Sequence, residues 1–88
     1  MTWNKKKIQS LVERYLEKHQ PRYYHLASSK VVRDGDYWYV LVEPDKSTIR
    51  AFDYSKRLAD TEEDIRDNEK NAPNLLLVPV LPTDPEDR

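Results

Sequence analysis

The 88-residue chain carries 15 Lys plus Arg against 16 Asp plus Glu, is 38% apolar and contains no cysteine. That length suits one compact domain and is too short for two, since domains run to roughly 50–250 residues. A net charge of −1 argues against a dedicated polyanion binder, and the lack of cysteine excludes disulfides, thiol catalysis, iron–sulfur clusters and the usual structural zinc sites.

The basic start at Lys5, Lys6 and Lys7 is followed by no apolar stretch of the kind a secretory signal needs. The longest apolar run, Leu75–Leu81, falls far short of the roughly 20 residues a membrane-crossing helix requires. The expectation is a soluble cytoplasmic domain over residues 1–81 that has no membrane partner. The polar, proline-rich tail at 82–88 is expected to be disordered.

Between Asn4 and His19 the apolar residues Ile8, Leu11, Val12, Tyr15 and Leu16 recur at helical spacing, and Pro21 ends the run. Tyr23–Glu43 reads as two strands around Asp34-Gly35, a dipeptide that favours a tight hairpin and uses the only glycine of the chain. With those two residues as the loop, Arg33 faces Asp36, Val32 faces Tyr37, Val31 faces Trp38 and Lys30 faces Tyr39. Alternation then puts Ala27, Ser29, Val31, Trp38, Val40 and Val42 on one face. Leu26, Ser28, Lys30, Val32, Tyr37, Tyr39, Leu41 and Glu43 fall on the other.

Pro44-Asp45-Lys46-Ser47 is a turn by composition, and Thr48–Tyr54 reads as a third strand. A second helix is expected from about Ser55 to Lys70, with a thin apolar face of Leu58, Ala59 and Ile65. After the breaker at Asn71–Asn74, Leu75–Leu81 reads as a last strand that is apolar on both faces. The fold class is therefore α+β: a single antiparallel sheet of about four strands in the order α-β-β-β-α-β, with both helices on one face.

Nothing in that order covers the second face of the sheet. Tyr37, Tyr39, Phe52 and Tyr54 are expected there; the last strand, with Val78 and Val80, is the other candidate contact, and its place in the sheet is left open. An aromatic patch of this kind reads as half-exposed sheet surface, as a protein-binding face or as a base-stacking platform. The protein-binding reading leads, because a two-sided apolar edge strand invites pairing or cover, and a homodimer supplies either. The alternative is nucleic acid, with Lys5, Lys6, Lys7, Lys30 and Arg50 holding phosphates. Residues 1–33 hold eight Lys or Arg against two Glu, and residues 34–88 hold seven against fourteen acidic residues, so a locally basic surface is available.

Catalysis finds little support. His19 and His25 flank the Pro21 turn with no motif to orient either, Ser28-Ser29 lacks a nucleophile elbow, and one glycine cannot build a phosphate-cradling loop. The carboxylates from Asp60 to Glu69 lack the glycine and ligand spacing of a calcium loop. No enzyme activity, metal or cofactor is expected.

Overall fold

The computed structural model of the chain describes residues 2–46 and 48–80. In order, the elements are helix α1 (Lys5–Lys18), strands β1 (Leu26–Asp34) and β2 (Tyr37–Pro44), helix α2 (Ala51–Asn68) and strand β3 (Asn74–Pro79). The sheet order is β1-β2-β3, with β1 antiparallel and β3 parallel to β2. The α+β class stands. The expected four antiparallel strands in the order α-β-β-β-α-β are corrected to three strands of mixed direction among the described residues, in the order α-β-β-α-β.

Helix α1 begins where the Asn4 side chain accepts the Lys7 N–H at 2.8 Å. It buries Ile8, Leu11, Val12, Tyr15 and Leu16, the stripe read from their spacing. In the hairpin, Gly35 sits at φ +62° and no other described residue has positive φ, the pattern of a type II′ turn. The loop is Gly35-Asp36, so Asp34 pairs with Tyr37, Arg33 with Trp38, Val32 with Tyr39 and Val31 with Val40. Each partner lies two residues from its expected one, and a two-residue shift keeps every side chain on its face.

An irregularity between Ser28 and Lys30 does change the faces. Ser29 is an extra residue on β1, a bulge that reverses the alternation before it. Leu26, expected on the open face, is consequently fully buried in the core, and Ser28 turns toward α1.

The segment Thr48–Tyr54, expected as a strand, is a short connection followed by the first turn of α2. Its β-branched and aromatic residues suit a strand, but Ala51, Tyr54, Leu58, Thr61 and Ile65 follow one another at spacings of three and four. That is a helical stripe, and all of it except half-buried Ala51 is buried. The Asp53 carboxylate accepts the Arg50 N–H at 3.3 Å at the start of the helix. With no third strand after β2, α2 becomes the crossover that a parallel neighbour requires. Leu81, the expected end of the last strand, and the tail at 82–88 lie outside the described residues.

Both helices pack on one side of the sheet. Their buried residues join Leu26, Val31, Trp38, Val40, Val42 and Leu77 in a single core. The Arg33 guanidinium stacks 5.3 Å from the Trp38 ring at its margin.

Candidate functional site

The second side of the sheet is organised by register. Row by row, Asp34, Tyr37 and Asn74 align across the strands, then Val32, Tyr39 and Leu76, then Lys30, Leu41 and Val78. Alternation directs these side chains away from the helices, since their chain neighbours Val31, Trp38, Val40 and Leu77 lie in the core. Tyr37 is 46% exposed and Leu76 37%. Val32, Tyr39, Leu41 and Val78 are half-buried. The Tyr37 and Tyr39 rings lie with centroids 6.4 Å apart. Apolar and aromatic groups fill the middle of this surface, and Lys30, Asp34 and Asn74 stand at three of its corners.

Tyr37 and Tyr39 share one face as expected, and the pairing of β3 with β2 brings Val78 to the same face. Val80 follows β3, tied by its N–H to the Val42 carbonyl at 2.9 Å, and its side chain is half-buried. Phe52 and Tyr54 do not belong to the sheet, because the strand expected to carry them is helical. Phe52 is 69% exposed in the first turn of α2, with the Arg50 guanidinium 6.0 Å from its ring. Tyr54 is fully buried, with its ring edge-on to Tyr24 at 6.3 Å and its hydroxyl donating to the Val80 carbonyl at 2.5 Å. Burial raises the pKa of that hydroxyl above the ordinary tyrosine value, and the Glu43 and Tyr24 charges add to the shift. Tyr15 in α1 is shifted the same way, by burial first and then by the Glu69 carboxylate.

Leu76, in the middle row of the face, is not singled out by the sequence because every residue from Leu75 to Val78 is apolar and the period-two signal is absent. Its position follows only once β3 is paired with β2.

The basic residues are dispersed. Trp3 Nε1 donates to the Asn71 carbonyl at 3.0 Å, which sets the Lys5, Lys6 and Lys7 end of α1 beside the C-terminal end of α2. Arg50 stands at the N-terminus of α2, an 18-residue helix and so about 27 Å away along the axis. Lys30 alone of these residues borders the tyrosine face.

Neither histidine is free of a carboxylate. His19 Nε2 lies 3.1 Å from Asp64 and His25 Nε2 lies 3.5 Å from Glu17, two separate pairs. The Ser28 hydroxyl donates to Glu13. Among the described residues no three His, Asp or Glu side chains converge as metal ligands, and no helix is long and apolar enough to cross a membrane. The chain matches no known protein-family model, no characterised protein and no solved structure at a significant level.

Proposed function

We propose that this chain is a small, non-enzymatic, cytoplasmic interaction domain that associates with itself, and that the open side of its sheet is a contact surface for protein. The observation that carries the reading is the contiguous patch of Val32, Tyr37, Tyr39, Leu41, Leu76 and Val78, which neither helix covers. An apolar and aromatic centre with polar residues at the margin is the make-up of a protein interface. Tyrosine suits it, because a large, stiff ring with a wet hydroxyl tolerates both solvent and burial.

The nucleic-acid alternative asks for cations beside stacking rings. Only Lys30 meets that requirement, with Lys5, Lys6 and Lys7 at one end of α2 and Arg50 at the other. Sedimentation of the native chain and of Tyr39→Glu and Val78→Lys, beside an oligonucleotide titration at low salt, separates the two readings. The native mass is expected to rise with concentration; a folded variant that associates less puts the self-contact on the face, and one that associates like the native chain leaves the face to another protein. A concentration-independent mass of 10.5 kDa, together with oligonucleotide binding that weakens steeply with salt, would replace this reading with the other.

A further inference from the structure

The two edges of the sheet are finished differently. Val80 N–H bonds to the Val42 carbonyl, so alternation turns the N–H groups of Leu76 and Val78 toward β2 and those of Leu75 and Leu77 outward. Glu62 of α2 accepts the Leu77 N–H at 2.5 Å, and Pro79 has no N–H to offer. That leaves Leu75 as the sole outward donor of β3, so this edge offers another strand little to pair with.

On β1 the same accounting gives a closed half and an open half. The Gln20 side-chain amide takes both outward groups of Leu26, each bond 2.8 Å. Glu13 accepts the Ser28 N–H at 2.9 Å. Beyond the bulge, Asp34 and Tyr37 flank a two-residue loop and so form a hydrogen-bonded pair, which turns the main-chain groups of Val31 and Arg33 outward. Those groups have no hydrogen-bond partner among the described residues.

We propose that this open half of β1 pairs antiparallel with the same segment of a second copy of the chain, about a two-fold axis at Val32. It rests on the self-association in the reading above and names its geometry. In that register Val31 of each copy exchanges two main-chain bonds with Arg33 of the other. On the open face Val32 meets Val32, and Lys30 stands opposite Asp34 at both ends. Neither Lys30 nor Asp34 has an ion-pair partner among the described residues, so the segment Lys30-Val31-Val32-Arg33-Asp34 is complementary to itself in charge as well as in hydrogen bonding. The joined sheet has six strands, and the two tyrosine faces become one continuous surface. So short a contact belongs to the weak, transient class.

Charge reversal tests the pairing. Lys30→Asp sets two carboxylates opposite each other at both ends, and Asp34→Lys sets two ammonium groups there. Each variant alone is expected to dimerise about tenfold more weakly than the native chain, or worse. An equimolar mixture restores Asp–Lys pairs at both ends, so its sedimentation-equilibrium mass should rise back toward twice 10.5 kDa, a recovery that no folding defect produces. A mixture no heavier than its components overturns the edge pairing. If the native dimer survives both reversals but is lost in Tyr39→Glu, the copies meet face to face, which overturns this inference and leaves the proposed function standing. A native chain that stays at 10.5 kDa up to about 1 mM overturns both.

Discussion

Glu62 reaches from α2 to the outer edge of β3 and accepts the N–H of Leu77 at 2.5 Å. On the opposite edge Glu13 of α1 does the same for Ser28, so each helix contributes one carboxylate to an outward strand N–H that no neighbouring strand pairs. Glu62→Ala is expected to cost about 1–3 kcal/mol, because the Leu77 amide loses its acceptor in a partly water-excluded place. Glu62→Gln keeps an acceptor oxygen and should retain much of the stability. Urea unfolding gives the energies, and faster hydrogen exchange at Leu77 in the alanine variant locates the loss.

Tyr54 ties the first turn of α2 to the end of β3 through its hydroxyl and the Val80 carbonyl. Tyr54→Phe removes one hydrogen bond and is expected to cost about 0.5–1.5 kcal/mol. Tyr54→Ala also opens a cavity at a fully buried position and should cost about 3–5 kcal/mol. Comparing the two midpoints in urea separates the hydroxyl from the ring.

Alkaline pH should destabilise the fold through Tyr15 and Tyr54, whose hydroxyls both titrate above the ordinary value of 10.0 in the folded chain. Below pH 10 both are protonated in the folded and unfolded chains alike, and their contribution is fully present. As pH rises past 10 the unfolded chain releases protons that the folded chain retains, so stability falls until the folded values are passed. Unfolding free energy measured from pH 8 upward should show this decline, and a Tyr15→Phe, Tyr54→Phe double variant should show less of it.

Gly35→Ala places a Cβ where nothing lies within 4 Å, so its penalty comes from the backbone at φ +62° alone. The expected cost is about 1 kcal/mol, read as a drop in thermal midpoint of roughly 4–8 °C for a domain of this size. Gly35→Asn should lose less, because asparagine tolerates that conformation better than alanine.

Much of this architecture was legible in the sequence. The stripe from Ile8 to Leu16 defined α1, and alternation from Val31 to Val42 placed Trp38 in the core and Tyr37 and Tyr39 opposite it. Thr48–Tyr54 misled because its β-branched and aromatic residues favour a strand locally, while burial of Tyr54 in step with Leu58, Thr61 and Ile65 favours a helix. The bulge at Ser29 carries no local signature, so the burial of Leu26 could not be read from alternation. The edge contacts of Glu13, Gln20 and Glu62 depend on which helix lies over which strand, and residue spacing does not encode that.

Neither helix lies over the second side of the sheet, and its openness can be measured. A soluble paramagnetic probe, added to a dilute sample, reports this directly through broadening of side-chain signals. Strong broadening is expected at Tyr37, Tyr39, Leu41, Leu76 and Val78, with Val40 and Leu77, one position away in the strands, left sharp. If Tyr39, Leu76 and Val78 stayed as sharp as those core residues, the face would already be covered by the protein itself and could not serve as a contact surface.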